Sequence, residues 1–385
     1  MLFSVAAGGI LRYDVEEGGV QMMDIRKGIV NHGNPFRLKR AVARAQTGKN
    51  LTVAFIGGSI TQGSLASSGE ACYAHRVFQW FSQQYGNVRY INAGIGGTTS
   101  QFAAARVDED VLRHHPDIVF VEFSVNDACT AHFQETYEGL VRRLLAFGAA
   151  VVLIHNICYD TGNSAESIHL EIGKYYDLPC VSVKPVMYDA ACRGEIPARD
   201  ITPDDLHPND AGHMLLANLV VGLLEQVLSL PNCAEQPIPV PLTANHYENS
   251  CRYQNHNLHA HSTGFVPDHT PQEHITQMFR RGFIGRNAGD SIRFSVTGTC
   301  LAVQYRKSVR HPAPVAVAIL DGDEENPIIL DANFQETWGD CLYLDTILEH
   351  APLRERTVEI RILEAHKDDA VPFYLVSLIS ASPVE

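Results

Sequence analysis

The 385-residue chain is poor in cationic charge, in charged residues altogether and in long apolar runs. Its 30 lysines and arginines face 44 aspartates and glutamates, a formal charge of −14. That balance lacks the positive footprint a nucleic-acid backbone demands, and an anionic membrane surface would repel it. Small neutral partners are the easier ones. No stretch is expected to approach the roughly 18 apolar residues that span a bilayer. The opening Leu2 to Leu11 has no lysine or arginine before it, which makes a poor leader. Paired cysteine motifs are missing too: Cys72, Cys129, Cys158, Cys180, Cys192, Cys233, Cys251, Cys300 and Cys341 are odd in number, scattered, and form no CxxC. A disulfide framework is therefore disfavoured, and a reducing, cytoplasmic setting is expected. What is present is a globular balance, 45% apolar with 19% charged, long enough for two or three domains.

From residue 50 the chain alternates short apolar runs with helical stretches. The runs Thr52 to Ile56, Val88 to Ile91, Asp117 to Val125, Ala149 to Ile157 and Cys180 to Val183 are rich in Val, Ile and Phe. They recur at about 30 residues, the length of a βα repeat, and several are apolar on consecutive positions, as strands covered on both faces are. The spacing predicts an α/β domain with a doubly wound, flavodoxin-like parallel sheet over residues 50–231. Its helices are Ala71 to Tyr85, Gln101 to His114, Thr136 to Phe147, Ser164 to Tyr176 and Ala211 to Leu228, the last opened by Asn209-Asp210 and closed by Pro231. Residues 1–49 form an N-terminal extension with a helix over Pro35 to Gln46. Residues 232–275, with Pro237, Pro239, Pro241 and many histidines, read as a linker. Residues 276–385 carry short strand-like runs separated by turns such as Asp321-Gly322-Asp323, which predicts a C-terminal antiparallel β-sandwich.

The chemistry-bearing segments sit at predicted strand ends. The first strand ends in Gly57-Gly58-Ser59-Ile60-Thr61, where open α/β sheets place their ligands, and glycines let backbone approach a substrate closely. A nucleophilic serine needs a base, and the base an orienting carboxylate. Asp204-Asp205-Leu206-His207 supplies both, with Asp204 three residues before His207 and Asp205 a poorer fit. Acyl transfer also needs donors for an oxyanion; Gly97, after the second strand, offers a backbone N–H, and Asn126, after the third, a side-chain amide.

Ser59 in GGSIT, Gly97 in GIGGTT, Asn126 in SVND, and Asp204 with His207 in DDLHP resemble, in order, the blocks of the SGNH (GDSL) hydrolase family over about residues 50–230. The resemblance implies Ser59 as nucleophile, His207 as general base and acid, Asp204 as its orienter, and an oxyanion hole from the Ser59 and Gly97 N–H groups and the Asn126 amide. No cofactor and no metal are implied. Gly58 stands where the family's GDS has aspartate, and Ser124 where its GxND has glycine; neither position bears the proposed chemistry. An SGNH domain joined to a β-sandwich is similar to bacterial carbohydrate acetylesterases, which implies an O-acetylated sugar or oligosaccharide as the ester substrate. Alternatives are a short-chain lipase or thioesterase, or a non-catalytic glycan-binding protein. A homo-oligomer is left open.

Two competing sites are weighed and set aside. His246, His256, His259, His261, His269 and His274 crowd one region, but their spacing fits no zinc signature and reads as a polar loop. Gly94, Gly96 and Gly97 follow a strand, but Thr99 occupies the third position of a dinucleotide-binding G-x-G-x-x-G. Because the base must be neutral to accept a proton, activity is expected to rise with pH.

Overall fold

The structure is a computed structural model that describes residues 3–6, 10–14 and 20–384, with side chains from Met23 onward. The opening Leu2 to Leu11 lies partly outside the described residues. The chain divides into two compact units, the first comprising Met1–Ala103 and Val107–Thr243, the second Ala104–Arg106 and Ala244–Glu385.

In the first unit β1 (Phe3–Ala6), β2 (Ile10–Asp14) and β3 (Val20–Asp24) make a small antiparallel sheet. β4 (Ile29–Asn31) and α1 (Phe36–Gln46) follow. Strands and helices then alternate: β5 (Leu51–Gly57), α2 (Ser59–Gln62), α3 (Tyr73–Tyr85), β6 (Val88–Gly94), α4 (Ser100–Asp110), β7 (Ile118–Glu122), α5 (Ala131–Phe147), β8 (Ala150–His155), α6 (Glu166–Tyr175), β9 (Cys180–Ser182), α7 (Asp189–Cys192) and α8 (Asp210–Ser229). The main sheet has the order β4-β9-β8-β7-β5-β6. Strands β5 to β9 are parallel, and β4 is an antiparallel edge on β9. Counted from β5 as first, the parallel strands run 2-1-3-4-5, the flavodoxin-like order, in which the chain reverses direction across the sheet at β5. The carboxyl ends of β5, β6 and β7 therefore border one crevice.

Every residue of β5, β7 and β8 is buried, which is why these strands are apolar on consecutive positions. Leu51, Val53 and Phe55 share a face with Ile118, Phe120, Val152 and Ile154, and pack with Leu38 of α1, Phe81 of α3 and Leu216, Leu219 and Leu223 of α8. The rings of Phe55 and Phe120 stack 4.6 Å apart at 9°. The Asn209 side chain caps α8, accepting from the N–H groups of Ala211 and Gly212 at 3.0 and 3.1 Å.

The structure corrects one expectation here. The 20-residue helix Asp210–Ser229 is long and apolar enough to cross a membrane by length and composition. Its run was missed because Asp210, His213, Asn218, Glu225 and Gln226 punctuate it. Its apolar residues are the first unit's core: Leu215, Leu216, Leu219, Val220, Leu223, Leu224 and Val227 are buried.

The second unit contains β10 (Asn249–Tyr253), β11 (Ala260–Thr263), β12 (Val266–Pro267), β13 (Phe283–Gly285), β14 (Ser291–Gly298), β15 (Cys300–Lys307), β16 (Val315–Leu320), β17 (Ile328–Asp331), β18 (Cys341–Leu348), β19 (Arg354–Glu364) and β20 (Phe373–Ser382). Two antiparallel sheets result, β12-β13-β20-β15-β18 with β10 also on β20, and β11-β14-β19-β16-β17. Ile292, Phe294 and Val296 of β14 point inward at every second position and join Val303, Ile360 and Phe373 in the core. Three of these strands fall within 232–275, the stretch read as a linker. No residue of β10, β11 or β12 is buried, so they lack the apolar alternation by which a strand is read from sequence.

Leu223 is completely buried. Leu223→Ala is expected to cost about 2–5 kcal/mol, read as a lower denaturant midpoint at unchanged slope.

Candidate active site

Helix α2 begins at Ser59 directly after β5. As the first helical residue, Ser59 has no intrahelical acceptor for its N–H. Gly63 closes the helix in the left-handed region, φ +102°, its N–H donating to the Ser59 carbonyl. The chain after α2 is tied to the start of α8: Ser67 donates from its backbone N–H and its hydroxyl to the Asp210 carboxylate at 2.7 and 2.6 Å. His213 of α8 completes the tie, Nε2 donating to the Ser64 carbonyl at 3.3 Å and Nδ1 accepting the Tyr73 N–H at 3.3 Å. Burial pushes this imidazole down to about 4, so it holds the loop as a neutral ring.

The loop ahead of α8 brings Asp204 and His207 to the serine. His207 Nε2 is 2.8 Å from Ser59 Oγ, and its Nδ1 is 2.6 Å from Asp204 Oδ2. Asp204 Oδ1 also accepts the N–H groups of His207 and Leu206, at 2.7 and 3.1 Å, so the three-residue spacing closes a tight turn around the carboxylate. Partial burial works to raise this carboxyl; the His207 side chain and the two backbone donors outweigh it and hold Asp204 below the usual range. The neighbouring Asp205 sits in the left-handed region at φ +64° and its Oδ2 accepts from Arg199 at 2.6 Å. Its carboxylate is thereby committed to Arg199, and Asp204 alone of the pair faces the ring.

The segments with Gly97 and Asn126 flank the serine. A Cβ on Gly96 would lie 3.4 Å from Ser59 Cβ, and the Gly96 N–H donates to Gln62 Oε1 at 2.6 Å. Gly97 follows, exposed, at φ +68°. On the other side, a Cβ on Gly58 would fall 2.2 Å from Asn126 Oδ1. The glycine that replaces the family's aspartate is thus fitted to its surroundings, because the Asn126 side chain occupies the space.

Four further residues here carry no role assigned from the sequence. Ser124 joins the turns after β7 and β8, donating to the Asn156 carbonyl at 2.9 Å and accepting the Asn156 N–H at 2.7 Å. Asp127 and His169 form a fully buried pair at 3.1 Å. Glu122, the last residue of β7, is also fully buried. The Thr61 hydroxyl donates to its Oε2 at 3.2 Å, and the Tyr73 hydroxyl donates to Thr61 at 2.8 Å. Burial pushes the Glu122 carboxyl up to about 7, against the opposing pull of the Asn156 and Thr61 side chains. The only local signal was polarity at the end of an apolar strand, which does not distinguish a buried acid from an exposed one.

Of the other residues singled out, Cys72 is buried, and its Sγ faces the Ile60 and Thr61 carbonyls at 3.9 and 3.6 Å. His256, His259, His261, His269 and His274 are exposed in the second unit. There His246 stacks on His350 at 4.5 Å.

A family model described as the GDSL-like lipase/acylhydrolase family matches residues 55–215. The chain is 24% identical over 202 residues to an acetylxylan esterase of Geobacillus stearothermophilus, covering 44% of this chain and 92% of that protein. Among solved structures it is similar to a two-domain esterase (CEX) active on acetylated mannans, with 49% identity and a TM-score of 0.92 over 94% of this chain and 99% of that one. The same esterase co-crystallized with mannopentaose matches with the same figures.

Glu122 makes stability depend on pH with a definite sign. The folded protein keeps this proton up to about pH 7, whereas the unfolded chain releases it near 4.5, so between those values the native state binds more protons and loses stability as pH rises. Glu122→Gln removes the effect. Relative to wild type its unfolding free energy is expected to climb by about 3 kcal/mol from pH 4.5 to pH 7, at 1.36 kcal/mol for each unit of pKa difference. Urea titrations at several pH values test this, and a pH-independent difference between the two proteins contradicts it.

Proposed function

The chain belongs to the GDSL-like lipase/acylhydrolase, or SGNH hydrolase, family, and from that premise we propose that it is a serine-dependent esterase that removes acetyl groups from oligosaccharides, with acetylated mannan-type chains as the leading substrate. The observation behind the catalytic assignment is the continuous row of hydrogen bonds from Ser59 Oγ through both nitrogens of His207 to Asp204. Ser59 Oγ attacks the acetyl carbonyl while His207 Nε2 takes its proton. Asp204 holds the ring with Nδ1–H turned toward itself and stabilises the imidazolium. The tetrahedral oxyanion lies among the Ser59 N–H, the Gly97 N–H and the Asn126 amide. His207 then returns the proton to the departing sugar hydroxyl. Water, deprotonated by the same imidazole, attacks the acetyl-enzyme and releases acetate.

The substrate reading is supported by the likeness, across almost the whole of both chains, to the esterase active on acetylated mannans. Charge agrees with it, since an uncharged sugar ester meets no repulsion from a net charge of −14. Nine scattered cysteines with no CxxC support a reducing, cytoplasmic setting.

Ser59→Ala is expected to lower kcat on p-nitrophenyl acetate by at least about 10³-fold, and undiminished activity would remove Ser59 as nucleophile. With wild type, acetate release should be faster from acetylated mannan than from acetylated xylan, and p-nitrophenyl acetate should outpace its longer acyl homologues. The reverse acyl preference turns the assignment to a short-chain lipase.

Gly58→Ala tests the Asn126 donor. Its Cβ needs the space that Asn126 Oδ1 fills, so the amide must move, and kcat should fall about 10²-fold with KM little changed. An unaltered kcat rules out Asn126 as an oxyanion donor.

A further inference from the structure

A second carboxylate–imidazole pair lies behind the Ser59 row, and the reaction above leaves it without a task. Asp127 directly follows Asn126 in the turn after β7, where both backbone N–H groups donate to the Phe123 carbonyl, at 3.0 and 2.9 Å. Its Oδ1 accepts the Ser100 N–H at 2.9 Å, and its Oδ2 accepts from His169 Nε2 at 3.1 Å. The Asp127 and His169 side chains have no solvent exposure at all.

Ser100 is the first residue of α4, and Thr99 ahead of it makes no side-chain cap. The first turn of α4 therefore takes a cap from a different element, the Asp127 carboxylate. The chain entering that turn is Gly96-Gly97-Thr98-Thr99. One carboxylate thus governs both arms of the proposed oxyanion hole: it is covalently next to Asn126, and it anchors the helix into which the Gly97 loop runs. The Ser100 and Thr136 hydroxyls, 2.6 Å apart, fasten the same turn to α5.

His169 fixes the carboxylate in turn. Its ring stacks on Tyr137 with centroids 3.6 Å apart and planes at 7°, which leaves the imidazole little freedom. Nδ1 is buried with no hydrogen-bond partner among the described residues. A proton there would be a buried unpaired donor, which is costly, so the ring's proton belongs on Nε2, facing Asp127.

We propose that Asp127, seated by His169, is a positioning residue that sets the spacing of the Gly97 and Asn126 donors around the oxyanion. The proposal rests on the esterase reading above. Asp127 exchanges no proton with substrate; it acts by keeping neutral donors within hydrogen-bond reach of a charge that exists only in the transition state. Interactions confined to the transition state alter kcat and leave KM alone, and misplacement by about 1 Å is worth about 10²-fold.

Asp127→Ala, Asp127→Asn and His169→Gln are compared with wild type and Ser59→Ala on p-nitrophenyl acetate, with active-site titration to count competent enzyme. Asparagine keeps an acceptor for the Ser100 N–H, and glutamine places an amide near the position of Nε2, so these two variants preserve more of the turn than alanine does. The expected result is kcat per titrated site lowered about 10²-fold in Asp127→Ala and less in Asp127→Asn and His169→Gln. KM should stay within about 3-fold, and the pH profile should keep its shape. The inhibition constant of phenylboronic acid, whose serine adduct is tetrahedral, should rise in proportion to the fall in kcat. Wild-type kcat per titrated site in Asp127→Asn and His169→Gln overturns the proposal, whether or not Asp127→Ala folds, as does a loss that appears in KM. Activity that survives Ser59→Ala overturns the esterase reading itself, whereas activity that needs Ser59 and ignores Asp127 overturns only this inference.

Discussion

A Cβ on Gly94 would stand 2.3 Å from the Gln62 backbone nitrogen, and one on Gly57 would stand 2.2 Å from Thr61 Oγ1. Helix α2 can therefore lie across the ends of β5 and β6 only because both strands end in glycine, and the rest of the site depends on that close approach. It presents Ser59 at the crevice beside β5 and sets Gly96 against its side chain. It also brings Thr61 down onto the buried Glu122. A side chain at either strand end would lift the helix and withdraw the serine from a His207 loop that is independently fixed to α8. The apolar run of β5 and the glycines that end it thus act together: burial locks the strand, and the missing side chains let the next turn settle on it.

What could be read from sequence divides along physical lines. The βα alternation was legible because strands buried on both faces must be apolar at each position, and β5, β7 and β8 are. The grouping of Ser59, Asp204 and His207 was legible because order along a doubly wound sheet nearly determines which loops converge. Within Asp204-Asp205 the three-residue spacing to His207 already favoured Asp204, and the coordinates add the reason Asp205 is unsuited: it is a left-handed residue whose carboxylate is taken by a guanidinium six positions away. The pairing of Asp127 with His169 spans 42 residues and joins two side chains with no periodicity between them. β10, β11 and β12 went unread for the opposite reason, because strands that bury little carry little pattern.

Three carboxylates near the crevice show how environment divides one functional group among several tasks. Asp204 is half open to solvent, with its side chain 45% exposed, and is held below the usual carboxylate range by the His207 ring and two backbone N–H groups. Glu122 is sealed beneath α2, where burial favours its neutral form. Asp127 is just as enclosed, yet both of its oxygens meet donors, one from a helix terminus and one from an imidazole. Buried carboxylates are tolerable only when protonated or fully hydrogen-bonded, and this unit uses both solutions within one turn of chain.

The proposed oxyanion site makes such precision necessary. The guanidinium of the triad loop, Arg199, is engaged by Asp205 and by the Pro203 carbonyl, and the donors assigned to the oxyanion are uncharged N–H groups. A full cation attracts a developing charge over several ångströms, so an error in its position changes little. A neutral N–H acts through hydrogen-bond geometry, and its contribution falls steeply as distance and angle depart from the optimum. Under the proposed mechanism, donors that are uncharged N–H groups must be held rigidly to act on the oxyanion. In the proposed arrangement that rigidity comes from the polar network behind Ser59, where Ser124 joins two turns and Asp127 two loops, and the low dielectric of its surroundings strengthens each of these hydrogen bonds.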